Sequence, residues 1–433
     1  MDNTEFPLRN TPIRTAEILC VGTELLLGDI VNTNAAFLSK SLASLGISVY
    51  HQAVVGDHPG RLRAALEDAF EGHGRPAADL VILSGGLGPT YDDLTKETVG
   101  AYFGRDMYLH EASLTRIKDY FARRGRPMTA NNQKQAMMPE GAVVLDNDYG
   151  TAPALAVGDA TRTAVLLPGP PAELIPLFNE KVIPLLRPYC EEVLVSHNIH
   201  IIGVGEAAVE ELLRDLMVKA ENPTIAPYCA PGEVRIRVTA KAEDEKTAEA
   251  MCRDTVAKVR CRVENFVYGM DLSGPEDGVI RAFTAKGLTV GCAESCTGGM
   301  IGQRLTAIPG ASSVFMGGFM TYTNEAKINL LGVSPQTIEA YTEVSAETAA
   351  EMAEGARRAL GCDVAIATTG YAGPGGGTKE NPVGTVYISV ATADGTKTLH
   401  LSYAQTKSRD YIRVAASSEA LCLALQAGLH HSL

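Results

Sequence analysis

Short apolar runs that end at glycine, each followed by a helical apolar stripe, recur along this chain and constrain its fold more than any other feature. Residues 16–21 end in Gly22, and residues 34–45 carry a helical stripe closed by Gly46. Residues 47–55 return to strand character, residues 61–70 are amphipathic, and residues 79–83 run into Ser84-Gly85-Gly86-Leu87-Gly88-Pro89-Thr90. Strands alternating with helices predict a parallel sheet covered on both faces, with ligands bound at the carboxyl ends of its strands. Leu166-Leu167-Pro168-Gly169-Pro170-Pro171 reads as the last strand of this unit and the rigid turn that ends it.

The pattern then changes. Val234, Ile236, Val238 and Ala240 alternate with Arg235, Arg237, Thr239 and Lys241, as in a half-buried strand, between helical patterns at 206–220 and 244–259. Alternation of the first kind resumes near residue 275. Ser345 can cap a helix carrying Ala349, Met352, Ala353, Ala356 and Leu360, and residues 363–369 form a strand. Residues 386–391 and 398–403 form a hairpin around Asp394-Gly395, and a closing helix covers 409–429. The fold class is therefore α/β: two three-layer α/β domains, 16–178 and 275–433, joined by a small α+β module at 190–268, with residues 1–15 as a flexible arm.

A net charge of −13 argues against non-specific nucleic-acid binding, which depends on neutralising phosphates. The 9 cysteines include no C-x-x-C pair, so neither a disulfide framework nor a zinc ribbon is indicated. Reduced thiols, an N-terminus without an apolar signal core and no run approaching 18 apolar residues fit a cytoplasmic protein without a membrane span.

In the last domain, Glu294-Ser295-Cys296-Thr297-Gly298-Gly299 lies between an apolar run at 288–293 and an amphipathic stretch beginning at Met300. That order predicts a strand, a tight turn and a helix. The Ser295 hydroxyl and the Cys296 thiol would then sit at a helix N-terminus, whose free N–H groups favour developing negative charge. A cysteine nucleophile needs an imidazole or another cation nearby, and this part of the chain offers only His400, inside a strand, and His430-His431 at the end. Ser295 can use Lys327 as its base if burial lowers the amine's pKa. Tyr322 lies five residues before Lys327, with Asn324 at a helix start between them, and a Tyr–Lys pair can relay a proton to a leaving amine. Successive N–H groups within Gly373-Pro374-Gly375-Gly376-Gly377-Thr378 can hold an oxyanion or a phosphate. Taken singly, the serine reads as a helix cap, the lysine as a surface charge and the glycines as a turn. Their occurrence together in one α/β unit points to acyl transfer or amide hydrolysis on an anionic substrate.

In the first domain, the turn containing Gly85, Gly86, Gly88 and Thr90 can present N–H groups to phosphate, and Asp92-Asp93 can hold Mg²⁺ against it or simply cap the following helix. Glu24, Asn32, Asn34 and Asp57 fall at or near other strand ends, where they can face the same crevice.

These motifs resemble those of the CinA family over almost the whole chain. In the C-terminal domain the matching pieces are 293–299, 322–327, Gly370-Tyr371-Ala372-Gly373-Pro374-Gly375-Gly376 and Pro382-Val383-Gly384-Thr385-Val386. The resemblance implies cofactor-free hydrolysis of nicotinamide mononucleotide to nicotinate mononucleotide and ammonia. Ser295 is then the nucleophile, Lys327 and Tyr322 handle protons, and Thr297, Gly298, Gly299, Asn324, Gly373, Gly375, Gly376, Arg409 and Arg413 bind substrate. Tyr371 stands where the family usually carries a small aliphatic residue, and Lys407-Ser408-Arg409 where it tends to show Gly-Asp-Arg.

In the N-terminal domain the pieces are 22–28, 85–95, 131–136, 150–153 and 167–171, similar to molybdopterin-binding proteins. They imply cleavage of ADP-ribose to AMP and ribose phosphate with a divalent metal, Mg²⁺ or Co²⁺, on Asp57, Asp92 and Asp93. The nucleotide site would comprise Glu24, Asn32, Asn34, Gly85, Gly86, Gly88, Thr90, Lys96, Thr151, Pro168 and Gly169. The middle module is similar to the family's KH-type linker; without a G-x-x-G clamp it reads as a spacer rather than a nucleic-acid binder. A homodimer recycling pyridine nucleotides is the resulting expectation. Its rival is a non-catalytic nucleotide- or pterin-binding factor in competence or damage response.

Overall fold

The computed structural model describes residues 10–430. It divides into two compact units, one holding the chain up to Val195 together with Ala240–Ala250, the other holding Ser196–Thr239 and the chain from Met251 onward.

The first unit contains β1 (Thr15–Val21), β2 (Ser48–Val55), β3 (Leu80–Ser84), β4 (Met107–Leu109), β5 (Met137–Pro139), β6 (Val143–Leu145), β7 (Ala154–Gly158) and β8 (Thr163–Leu167). One sheet runs β2-β1-β3-β8-β7-β6, while β4 and β5 pair separately. Its first four strands are parallel, as the alternation predicts. The last two are antiparallel, because only residues 159–162 connect β7 to β8 and a parallel pairing needs a longer crossover. Successive side chains of β1 point to opposite faces. Ile18 and Cys20 pack with Leu38 and Leu42 of helix Thr33–Ser44, whereas Leu19 and Val21 pack with Leu62, Leu66 and Phe70 of helix Pro59–Glu71. That is the three-layer arrangement expected.

Two expected boundaries move. The arm ends before residue 15: Ile13 is buried, its N–H donates to the Tyr189 carbonyl (2.8 Å), and β1 begins at Thr15. Residues 1–9 lie outside the described residues. The domain also continues past 178, through the π-turn Phe178–Val182 to Tyr189, with Val182 and Leu186 in its core. Pro184 and Pro188 each stand at the first or second position of a short helix within this path.

The middle module forms a sheet of β9 (Val193–Ile202), β10 (Thr224–Ala230), β11 (Glu233–Ala242) and β12 (Val267–Met270) in the order β10-β11-β9-β12. Val234, Ile236, Val238 and Ala240 are buried along β11, as the alternation requires. Helices Glu206–Lys219 and Glu245–Val263 belong to it.

The C-terminal sheet contains β13 (Val290–Glu294), β14 (Phe315–Met320), β15 (Val364–Gly370), β16 (Thr385–Ala391) and β17 (Thr396–Ser402), ordered β14-β13-β15-β16-β17. The first three are parallel, and β15-β16-β17 are antiparallel. One face packs on helices Pro275–Lys286 and Arg409–His430, the other on helix Ala346–Leu360. Ser345 caps that last helix as expected, accepting from the Thr348 N–H (3.2 Å). Among the described residues, 409–429 form the one helix long and apolar enough to cross a membrane; 72% of its most apolar window is buried, which marks a core helix.

Candidate functional site

At the carboxyl end of β13 the chain leaves the sheet and places the candidate nucleophile. The Ser295 N–H donates to the Thr368 carbonyl (3.0 Å), extending the β13–β15 ladder by one residue. Thr297, fully buried, shares a hydrogen bond with the Thr368 hydroxyl (2.7 Å), and Gly298 and Gly299 turn the chain at φ 58° and 91°. Helix Met300–Thr306 begins only afterwards.

The helix N-terminus departs from the arrangement that the residue order predicts. The helix N-terminus does not face Ser295 with free N–H groups, because the buried Glu294 carboxylate takes them. It accepts from Gly299 (3.0 Å), Ile301 (3.1 Å) and Gly302 (2.9 Å). A carboxylate satisfies orphan donors at a helix start and suits its partial positive charge, so the turn is held rigid from below.

Lys327 projects from helix Asn324–Leu331, whose cap Thr323 accepts from the Ala326 N–H (3.2 Å). Its Nζ lies 3.4 Å from Ser295 Oγ and donates to the Thr321 carbonyl (3.0 Å). The residue is 1% exposed, and burial lowers its pKa against a smaller upward pull from Glu343. A buried amine with a depressed pKa can take a proton from the hydroxyl it faces. Cys296 is the weaker candidate, since burial pushes its thiol up to about 11. No histidine lines this site among the described residues: His400 stacks on Tyr387 in the hairpin, and His431 lies outside those residues.

Ser295, Cys296, Lys327 and Tyr322 open onto a cavity of about 190 Å³, together with Thr369, Gly375 and Arg409. Arg409 is held by two bonds, from Nη1 to the Gly373 carbonyl (2.8 Å) and from Nη2 to the Tyr322 hydroxyl (3.4 Å). It is well oriented without an aspartate before it. Arg413 turns elsewhere, donating to the carbonyls of Cys296 (3.2 Å) and Thr297 (2.9 Å), and so braces the serine turn. Asn324 stands at the helix start but not on the cavity wall, Gly373 contributes its carbonyl, and Gly376 flanks the Tyr371 ring.

Glu343 and Tyr371 also stand on the cavity wall; Tyr371 falls within a matching motif as a departure with no role assigned, and Glu343 falls in none. Tyr371 donates to Glu343 Oε1 (3.0 Å), and Thr369 Oγ1 donates to the Glu343 carbonyl (2.7 Å). Burial and the Glu343 charge raise the Tyr371 phenol to about 12. Just before Glu343, Thr342 adopts φ 72° and ψ 170°, a region almost confined to glycine. Its carbonyl accepts from Ser345 Oγ (3.1 Å) and Thr348 Oγ1 (2.7 Å), which hold the strained backbone in place. No periodicity marks this loop, so only its contacts disclose it.

In the N-terminal domain, Glu24, Asn32, Asn34 and Gly169 line a second cavity, of about 280 Å³, together with Ser84. Asn34 donates to Ser84 Oγ (2.9 Å) and the Gly169 carbonyl (2.7 Å), while its buried Oδ1 has no partner. Gly85 and Gly86 sit at φ 108° and 68°; a Cβ on Gly86 would lie 2.1 Å from Thr95 Oγ1, so the loop tolerates no side chain there. Pro168 follows the end of β8. Lys96 is buried, donates to the carbonyls of Lys134 (3.0 Å) and Gln135 (2.8 Å), and is lowered by burial to about 8. Lys134 reaches the Thr90 carbonyl (2.7 Å) and Gln135 reaches Thr151 Oγ1 (3.0 Å), which ties Thr90, Lys96 and Thr151 into one network.

The three aspartates do not converge. Asp57 accepts from the Thr23 N–H and Oγ1 (2.8 Å each), and Asp93 from the Thr90 N–H (2.9 Å) and its hydroxyl. Among the described residues no group of three or more His, Cys, Asp or Glu is gathered to hold a metal. Their hard oxygens fit Mg²⁺ in the mode where one or two carboxylates act with a substrate's phosphate oxygens.

Three family models match the chain: the CinA C-terminal domain over residues 274–427, a molybdopterin binding domain over 17–188 and the KH domain of damage-inducible protein CinA over 196–269. A competence-damage inducible protein of Clostridium acetobutylicum is 49% identical over 386 residues, 89% of this chain and 93% of that protein. A CinA-like protein of Dictyoglomus turgidum is 47% identical over 374 residues, 86% of this chain and 90% of its own. The crystal structure of competence/damage inducible protein CihA from Agrobacterium tumefaciens is 42% identical, covers 35% of this chain and 93% of that one, and has a TM-score of 0.34.

Proposed function

This chain belongs to the CinA family, and we propose that its C-terminal domain is a serine amidase that converts nicotinamide mononucleotide to nicotinate mononucleotide and ammonia. The observation that carries this reading is the buried Ser295–Lys327 pair, 3.4 Å apart at the wall of a small cavity. Neutral Lys327 accepts the hydroxyl proton while Ser295 Oγ attacks the carboxamide carbon, forming a C–O bond. The C–N bond breaks as the proton passes to the leaving nitrogen, with the Tyr322 hydroxyl at the cavity mouth as the second proton carrier. Water then cleaves the acyl-serine to the acid. N–H groups of the glycine-rich loop take the developing oxyanion, and Arg409 is available to the phosphate.

Ammonia release from nicotinamide mononucleotide, without added metal, tests the reading. Active wild type and a Ser295→Ala variant slower by about 10⁴-fold or more are expected. Equal rates in the two proteins would remove Ser295 from the mechanism. A well-folded wild type that releases nothing would favour the binding-factor rival.

For the N-terminal domain we propose metal-dependent cleavage of ADP-ribose to AMP and ribose phosphate. The side-chain-free loop at Gly85-Gly86 and the unpartnered Asn34 Oδ1 support it. Asp92 and Asp93 would hold the divalent ion, which neutralises phosphate charge when bound. AMP appearing only with added Mg²⁺ or Co²⁺ is the expected result, and its absence with both metals would refute this activity. The protein as a whole would then recycle two products of NAD breakdown, as a cytoplasmic homodimer.

A further inference from the structure

Glu343 is the one acidic residue lining the Ser295 cavity among the described residues, and its position works against the chemistry proposed there. A carboxylate beside an acyl-transfer centre opposes the oxyanion and favours the protonated form of Lys327, which must be neutral to act. Yet the fold fixes it firmly. The strained Thr342 backbone delivers it, the Tyr371 hydroxyl aims it, and Thr369 anchors its carbonyl. Arg409, the cation on the same wall, is held by the Gly373 carbonyl and the Tyr322 hydroxyl and forms no ion pair with Glu343 among the described residues, so a positive charge entering the cavity would balance the carboxylate.

We propose that Glu343, oriented by Tyr371, is the counter-charge that selects a substrate with a cationic heteroaromatic ring at its reacting end. Once such a ring is bound, its charge offsets both penalties: it attracts the carboxylate and cancels that group's hold on the Lys327 proton. A neutral ring of the same shape leaves both in force. Tyr371 is a positioning residue here, acting through Glu343. The identity of the ring as an N-ribosylated pyridinium rests on the amidase reading above; the charge selection does not need turnover.

The test is equilibrium binding by calorimetry to full-length Ser295→Ala protein. The two probes are nicotinamide mononucleotide and its reduced dihydro form, which keeps the phosphate and carboxamide but has a neutral ring. The cationic form should bind at least about tenfold more tightly. Adding Glu343→Gln should bring that ratio close to one by weakening the cationic ligand alone, and Tyr371→Phe should reduce the ratio by a smaller factor. Equal weakening of both ligands, or an unchanged ratio in a Glu343→Gln protein with native thermal unfolding, overturns the proposal. If Glu343→Gln does not fold, the Tyr371→Phe ratio decides, and no change in it also overturns the proposal. Selective binding without ammonia release by wild type would refute the amidase and keep the counter-charge. Ammonia release without selective binding would do the reverse.

Discussion

In the proposed amidase reading, burial of Lys327 decides the pH at which Ser295 can be activated. The amine must be neutral to take a proton, and its pKa lies below the ordinary 10.5 because burial outweighs the pull of Glu343. The groups facing it are Ser295, Cys296, the Thr321 carbonyl and Glu343. Ammonia release should therefore have an acid limb, with kcat/KM falling as pH drops through the Lys327 pKa and a midpoint below 10.5. A rate–pH profile checks this, and a midpoint at the ordinary lysine value would contradict it. Lys327→Met should remove the limb and cost about 10²–10⁴-fold in rate. The preference for Ser295 over Cys296 in the proposed reading comes from residue types alone, because no imidazole accompanies the thiol. Glu343 was not legible, since nothing in a run such as Tyr-Thr-Glu-Val reports a strained backbone that turns one side chain inward.

Glu294 shows how one strand end governs the element after it. Its carboxylate holds three N–H groups of the turn and first helical residues, and charge-assisted bonds of this kind are among the stronger ones. Glu294→Ala leaves those donors unpaired and should destabilise the C-terminal domain by about 2–4 kcal/mol. Differential scanning calorimetry of the full chain should show its transition at lower temperature, with Glu294→Gln intermediate. In an isolated helix Gly355→Ala would gain about 1 kcal/mol. In helix Ala346–Leu360, however, the new Cβ would lie 2.1 Å from the Leu331 carbonyl oxygen. The variant should lose about 1–3 kcal/mol, read as a lower midpoint in the same scan. Strand and helix positions could be read from the sequence because burial imposes their periods. The Glu294 cap could not, because a carboxylate reaching forward across a turn leaves no periodic trace.

Across the whole molecule, the two α/β domains carry separate chemistries in the proposed reading, so each should be removable alone. Gly86→Val forces the N-terminal loop away from Thr95 and should cost AMP formation about 10²-fold or more. Ammonia release by the same preparation should stay within about twofold, because the two assays report different domains. Joint loss of both would show that the domains are not independent. The layered architecture was legible from alternation, but the far edge of the first domain was not. Residues 171–189 carry prolines that argue for an end, and only packing of Val182 and Leu186 reveals that the helical path continues.

The helix Arg409–His430 has a consequence for time rather than geometry. Its first turns hold the Ser295 turn and the glycine-rich loop through Arg413 and Arg409, while Ile412, Ala416, Ala420, Leu421 and Leu425 are fully buried in the core of the same domain. Gly232 of the middle module packs on it at Glu419 and Cys422. Beyond its exposed first turn the helix opens only when the core opens, and the amides from Ala415 onward should be among the slowest to exchange with solvent. The cavity around Ser295 thus has no separate lifetime of its own. It persists as long as the hydrophobic centre of the domain and is lost in the same event.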